Sequence, residues 1–136
     1  MGMARRPRIA IIDDDPAFVG LMHDLLSLGE SYEVISTSDW LSSLEFVRTE
    51  NPDLVILDLM LGRDQSGAAI LELLREDPRT TNVPVLVCSA AAPALLRQAS
   101  VWRDRGVVET LAKPFDVDDM LQAIERLLHS TATSAA

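Results

Sequence analysis

Short apolar segments alternate with amphipathic helical patterns along nearly the whole chain, and this alternation limits the choice of fold. The strand-like segments are 8–13, 32–37, 54–57, 84–89 and 107–112. Between them, apolar residues recur at helical spacing, with Phe18, Leu21, Met22, Leu25 and Leu26 as the first example. Such alternation is typical of a parallel sheet that helices cover on both faces. We therefore predict an α/β fold of one domain with five strands and five helices.

Residues that begin or end helices support these assignments. Pro16 suits the first turn of a helix, and Gly29 suits the position just after its end. A polar loop over 62–67 precedes the third predicted helix, and the fourth helix is predicted to end near Gly106, after starting at residue 93. Asp116 is placed to cap the last helix.

Charge and composition exclude several classes of function. The chain has 136 residues and a formal net charge of −9, which argues against direct nucleic-acid binding, since that requires a basic surface. The single cysteine, Cys88, lies in an apolar run and cannot form an internal disulfide or a zinc site. No apolar run approaches the roughly 20 residues of a membrane-spanning helix. These features predict a cytoplasmic protein without a membrane segment.

Polar residues gather where the predicted strands end. Asp13, Asp14 and Asp15 follow the first strand, Asp58 follows the third, Ser89 ends the fourth, and Lys113 follows the fifth. In an open parallel sheet the functional site lies beyond the carboxyl ends of the strands. We therefore expect these side chains to converge.

Their chemistry matches a phosphoryl-transfer site. Clustered carboxylates suit Mg²⁺, which retains waters that a phosphate can replace. A lysine and a serine hydroxyl can hold phosphoryl oxygens. Asp58 is the best candidate nucleophile, because it is isolated at the centre. Alone, the aspartate triplet is typical of a solvated turn that caps a helix, and only the combination with Asp58 and Lys113 favours a metal site.

Four fragments in order, "IIDDDP", "LVILDLML", "VLVCSA" and "LAKPF", carry a resemblance to a known family. The chain resembles the receiver domain of bacterial two-component response regulators, of the stand-alone type, from Arg8 to about His129. The resemblance implies a flavodoxin-like, doubly wound sheet of order 2-1-3-4-5. It also implies an N-terminal arm over 1–7, a receiver domain over 8–129 and a disordered tail over 130–136.

The same resemblance implies a metal site. Asp14 would ligate Mg²⁺ directly and Asp13 through water, while Asp15 begins the following turn. Asp58 would be the phosphoacceptor and also a metal ligand. Met60 would offer its backbone carbonyl to the metal.

The resemblance further implies the remaining parts of a switch. Ser89 would supply a hydroxyl that moves toward the phosphoryl group, and Lys113 would hold a phosphoryl oxygen. The donor would be a phosphohistidine on a sensor histidine kinase or a phosphotransfer protein. The output would be binding to a downstream protein or to a second copy. Such a chain catalyses only its own phosphotransfer and autodephosphorylation, and is otherwise no enzyme. A receiver cut from a longer protein would have the same sequence features.

Two departures from the family pattern stand out. The family usually has proline four residues and glycine eight residues after the phosphoacceptor, but this chain has Gly62 and, nine residues on, Gly67. The usual aromatic of the fifth strand is replaced by Thr110. These departures put the conformation of the loop and the aromatic readout of phosphorylation in question.

Two other functions remain open at this stage. The first is a degenerate receiver that acts as a scaffold independently of phosphorylation. The two departures favour this function, whereas the presence of Asp13, Asp14, Asp58, Ser89 and Lys113 argues against it. A Mg²⁺-dependent phosphohydrolase of the haloacid-dehalogenase type would require a second aspartate two residues after Asp58, where this chain has Met60.

Overall fold

Five strands form one parallel sheet in the computed structural model, which describes residues 6–39, 41–58, 60–61, 65–89, 108–113 and 115–135. These strands are β1 (Arg8–Ile12), β2 (Glu33–Thr37), β3 (Leu54–Asp58), β6 (Val85–Ser89) and β7 (Val108–Ala112). Their order is β2-β1-β3-β6-β7. Counted along the chain, this is the predicted order 2-1-3-4-5, which is therefore confirmed.

Four helices flank the sheet within the described residues. They are α1 (Pro16–Ser27), α2 (Ser43–Glu50), α3 (Gly67–Glu76) and α4 (Val117–Ala135), and a short 3-10 helix, Leu28–Glu30, follows α1. The helix predicted over 93–106 lies outside the described residues. The last helix extends past His129 to Ala135, where the sequence predicts a disordered tail; the domain boundaries themselves stay a prediction.

The alternation of side chains along the strands divides the core into two layers. On one face, residues such as Ala10, Val55 and Val87 pack with α2 and α3. On the other face, residues such as Ile11 and Ile56 pack with α1 and α4. Successive side chains of a strand point to opposite faces, so a strand buried on both sides is apolar throughout. All five residues of β3 are buried, including Asp58 at its end.

The segment after β3 differs from the predicted polar loop. Residues Met60–Leu61 (β4) and Gln65–Ser66 (β5) pair as a two-stranded antiparallel ribbon. The ribbon returns the chain directly to the start of α3 at Gly67. The described parts of this connection, 60–61 and 65–66, are thus paired through their backbones.

The ends of α1 follow from its sequence. Pro16 occupies the first turn, and the Asp15 carboxylate accepts a hydrogen bond from the Ala17 backbone N–H at 3.0 Å. Gly29 has a φ of 66°, a left-handed conformation that glycine adopts without a steric penalty. Both predicted features of this helix are confirmed.

A buried aspartate links α2 to the end of α3. Asp77 accepts a hydrogen bond from the Arg79 backbone N–H at 2.8 Å and forms an ion pair with Arg48 of α2. The hydrogen bond from Arg79 is the main cause of a lowered Asp77 pKa, and the Arg48 guanidinium adds to it; burial opposes the change. The ionised form of Asp77 therefore stabilises the packing of α2 against α3.

We expect Asp77→Asn to lower the free energy of unfolding most at neutral pH. Because the Asp77 pKa is lower in the folded state than its ordinary value of 3.8, this stabilisation is complete above that value and is lost as pH falls through the lower, folded pKa. Urea unfolding between pH 7 and pH 3 checks this, with the exposed Asp24→Asn as control. The difference between the two variants should shrink below pH 3.8. A difference that stays constant with pH contradicts the assignment.

Candidate functional site

The carboxyl edge of the sheet brings together residues that are distant in sequence. Asp13 follows β1, Asp58 ends β3, and Lys113 follows β7. Asp58 is paired in register with Cys88 of β6, and the next residue of β6, Ser89, is paired with Ala112. Parallel pairing therefore places the ends of β1, β3, β6 and β7 at one edge, as the sequence predicts.

Lys113 lies between two carboxylates. Its Nζ donates hydrogen bonds to Asp13 Oδ2 at 3.0 Å and to Asp58 Oδ2 at 3.4 Å. Asp13 is 2% exposed and Asp58 is 8% exposed, so both charges are largely removed from water. An unpaired charge at such a depth is costly, and the shared ammonium offsets that cost.

The same contacts set the protonation of Lys113. Burial by itself lowers the Lys113 pKa, but the hydrogen bond to Asp13 and the charges of Asp13 and Asp58 outweigh burial and raise this pKa above its ordinary value of 10.5. The side chain is therefore a fixed positive charge at neutral pH.

Three carboxylates remain close to one another around this charge. One oxygen each from Asp13, Asp14 and Asp58 can be chosen so that all lie within 4.8 Å of one another. Asp14 is exposed, whereas the other two are buried. Three negative charges beside one ammonium leave an excess of two, and oxygen ligands of this kind suit a hard divalent cation. The donor set therefore fits the Mg²⁺ expected from the sequence.

Asp15, the third aspartate of the run, has a different task. Its carboxylate caps α1, and its backbone N–H donates to Asp13 Oδ1 at 2.9 Å. Both Asp13 oxygens are thus engaged, one by Asp15 and the other by Lys113. The predicted role of Asp15 in the turn is confirmed.

Two of the predicted site residues are described by backbone alone. Ser89 ends β6 at the same edge, and Met60 begins β4 two residues after Asp58. Their positions in the chain suit the predicted roles, but their side chains lie outside the described part of the structure. Thr110 is half-buried on β7, opposite Val87.

Two aromatic residues that sequence reasoning left without a role border the site. Lys113 Nζ lies 4.0 Å from the centroid of the Phe18 ring. The Phe115 ring packs against Phe18 nearly perpendicularly, with an interplanar angle of 88° and centroids 6.1 Å apart. Helical spacing identified Phe18 as an apolar position of α1. The only signal of a further role was its position four residues after Asp14.

Cys88 is a buried core residue next to the site. Burial raises the pKa of its thiol to about 12, with the nearby acidic charges adding to this and Lys113 opposing it. A thiol that stays protonated is a poor nucleophile and a poor metal ligand. The sequence interpretation of Cys88 as a small core residue is therefore confirmed.

The fold and site together define a doubly wound α/β domain with an acidic cluster and one lysine at its carboxyl edge. Residues 9–125 match the family described as response regulator receiver domain. This match covers most of the chain, and the chain therefore belongs to the response regulator receiver domain family.

Similar proteins agree with this assignment. The chain is 37% identical over 125 residues to the DNA-binding dual master transcriptional regulator RpaA of Synechocystis sp., covering 92% of this chain but only 50% of that regulator. It is 30% identical to sporulation initiation phosphotransferase F of Bacillus subtilis, covering 89% of this chain and 93% of that protein. The chain thus spans about half of the first relative and nearly all of the second.

Solved structures show the same fold. A sensor protein from Polaromonas sp. JS666 superimposes with a TM-score of 0.80 at 28% identity, covering 93% of this chain and 98% of that one. A response regulator structure from Chloroflexus aurantiacus gives a TM-score of 0.75 at 25% identity, covering 91% and 98%. Within the part of the chain that the structure describes, no helix has both the length and the apolar character for crossing a membrane.

We expect Asp58→Asn to stabilise the protein when divalent cations are absent. The substitution removes the repulsions of Asp58 with Asp13 and Asp14, and it also removes the attraction of Asp58 to Lys113. The net effect favours the folded state by about 1 to 3 kcal/mol. Urea unfolding in the presence of EDTA measures this. Asp24→Asn, which removes a carboxylate from the exposed surface of α1, is the control. Equal or lower stability of Asp58→Asn would show that the cluster is not under electrostatic strain.

Proposed function

We propose that this chain is a phospho-aspartate signalling switch in a two-component or phosphorelay pathway, with Asp58 as the phosphoacceptor and Mg²⁺ as the cofactor. The observation that carries the proposal is the position of the Lys113 ammonium between Asp13 and Asp58, beside a third carboxylate from Asp14. Membership of the receiver domain family supports it.

The geometry favours Asp58 over its neighbours as the nucleophile. Asp13 has both oxygens engaged and is almost fully buried. Asp14 is exposed on the turn after β1, where its carboxylate suits metal ligation. Asp58 lies at the centre of the sheet edge, with Lys113 beside one oxygen to stabilise negative charge on a transferred group.

The reaction follows from these roles. A carboxylate oxygen of Asp58 attacks the phosphorus of a phosphohistidine, the P–N bond breaks, and the imidazole leaves with the bonding electron pair. The residues that would hold Mg²⁺ are Asp14, Asp58 and the backbone carbonyl of Met60, with Asp13 acting through water. The ion would neutralise charge on the phosphoryl oxygens. Lys113 would hold one phosphoryl oxygen and Ser89 would donate to another.

A cleft borders the acidic cluster on the side of β2. It has a volume of about 510 Å³ and is lined by Asp13 and Asp14 and by Ser36 and Thr37 at the end of β2. We propose that a sensor histidine kinase or a phosphotransfer protein supplies the phosphoryl group. The output is binding to a downstream protein or to a second copy, because a net charge of −9 disfavours direct contact with nucleic acid. A cytoplasmic location follows from the kinase partner.

We expect Asp58→Asn to abolish phosphorylation. Incubation with acetyl phosphate and Mg²⁺, read by intact mass, should add one phosphoryl group of about 80 Da to the wild type and to the control Asp24→Asn, because both keep the acceptor carboxylate. Beryllofluoride should bind the same two proteins and should not bind Asp58→Asn. Repeated release of phosphate would indicate a phosphohydrolase instead. No response of the wild type to either reagent would indicate a scaffold.

We expect Mg²⁺ to raise the thermal stability of the wild type and to have little effect on Asp14→Asn. A ligand that binds only the folded state stabilises it by about 2.7 kcal/mol at 100 times its dissociation constant. Asp15→Asn is the matched control, since asparagine also caps a helix and Asp15 is outside the carboxylate cluster. Calorimetric titration checks the affinities directly. Equal Mg²⁺ affinity in both variants would remove Asp14 from the proposed metal site.

A further inference from the structure

The Lys113 ammonium has a third neighbour besides its two carboxylates. Its Nζ lies over the Phe18 ring, 4.0 Å from the centroid. An ammonium group has three N–H donors, and the two carboxylates account for two of these directions. The face of an aromatic ring attracts a cation through its quadrupole, and the attraction grows where water is excluded. Lys113 is only 20% exposed, so the ring closes part of the remaining access of water.

The ring itself is held in place. Phe18 lies in the first turn of α1, which is fixed by the Asp15 cap and by the hydrogen bond from the Val19 N–H to the Asp15 carbonyl at 3.0 Å. Phe115 packs across the Phe18 ring from the chain segment just after Lys113. The turn that carries Asp13 therefore also fixes the position of the ring relative to Asp13.

The lysine side chain needs such a constraint. Its ammonium is attached to the backbone through four methylene groups that rotate freely, so a partly exposed lysine can turn toward solvent. Asp13, which is 2% exposed, would then lose its cation. The ring attracts the ammonium without taking up a carboxylate oxygen, so it limits this motion and leaves the acidic cluster intact.

We propose that Phe18 is a positioning residue whose ring holds Lys113 against Asp13 and Asp58. This inference deepens the proposed function and depends on it for the identity of the reaction. The position of Lys113 itself can be tested without phosphate or metal, so the two proposals can fail separately.

The first test is spectroscopic. Lys113 is the only lysine in the sequence, so lysine labelled with ¹³C gives a single side-chain spin system. The ring should shift the signals of the Lys113 Cε protons upfield in the wild type, in Phe18→Tyr and in the α1 surface control Leu21→Ala. Phe18→Leu should move these signals to ordinary positions. Unchanged signals in Phe18→Leu overturn the proposal.

The second test is a double-mutant cycle on the rate of phosphorylation by acetyl phosphate in Mg²⁺, a donor that needs no partner protein. We expect Phe18→Leu to lower the rate about three- to tenfold, as the loss of one cation–π contact implies, and Phe18→Tyr to restore most of it. In a Lys113→Ala background, Phe18→Leu should have no further effect. An equal loss in both backgrounds means that Phe18 acts by packing alone, and overturns the proposal.

Two further outcomes are a variant that does not fold and a wild type that takes up no phosphate. Urea unfolding shows whether each variant is folded, and Phe18→Met, which also removes the ring, replaces Phe18→Leu if the latter does not fold. If the wild type takes up no phosphate, the proposed function fails, while the lysine spectrum still decides whether the Phe18 ring lies over Lys113.

Discussion

At the carboxyl edge of the sheet, the arrangement of the acidic residues depends on one positive charge, the ammonium of Lys113. It bridges residues 100 and 55 positions away in sequence and lies beside two buried carboxylates. Because the strands are parallel, the acidic groups at their carboxyl ends lie together, and a cation among them offsets the cost of burying their charge. Within this cluster of described residues, Lys113 supplies one positive charge against the three negative charges of Asp13, Asp14 and Asp58. This excess of negative charge is the feature on which the proposed binding of a divalent ion rests.

The repulsion among the carboxylates at this edge is offset by the hydrophobic core of the sheet. The sheet is buried on both faces by aliphatic side chains, and a fully buried leucine or isoleucine contributes about 1.5 to 3 kcal/mol. Several such residues outweigh a repulsion of a few kcal/mol among Asp13, Asp14 and Asp58. Ion pairs such as Arg48 with Asp77 join helices on the side away from the cluster. The acidic edge is thus a local loss of stability that an otherwise well-packed domain tolerates.

Much of this arrangement could be predicted from the sequence because the signals are local. The continuous run of four apolar residues before Asp58 marks both a buried strand and the end of that strand. The capping role of Asp15 and the turn at Gly29 follow from residue type alone. Local signals do not give the strand order, which was predicted from the resemblance carried by four short motifs.

The rest depended on contacts between distant residues. The ribbon of Met60–Leu61 and Gln65–Ser66 has few apolar residues and no regular alternation, so its pairing left no pattern to find. Residue type alone suggests Ser38 or Asp39 as the cap of the second helix, but α2 begins at Ser43, and Asp39 accepts a hydrogen bond from the Leu41 N–H in the preceding turn. The contact between Phe18 and Lys113 joins the first turn of α1 to the residue that follows β7, and helical spacing gives no direction for an aromatic ring across that distance.

The composition of the positive charges has a practical consequence. Eleven of the twelve cationic residues are arginines, so amine-directed reagents find one side-chain target, and that target lies inside the acidic edge. Acylation there would replace an ammonium with a neutral amide between two carboxylates. Any coupling through the lysine side chain would therefore attach the protein to a sensor surface by its acidic edge, whereas thiol coupling through Cys88 is blocked by burial. Immobilisation through a terminal tag keeps the acidic edge accessible.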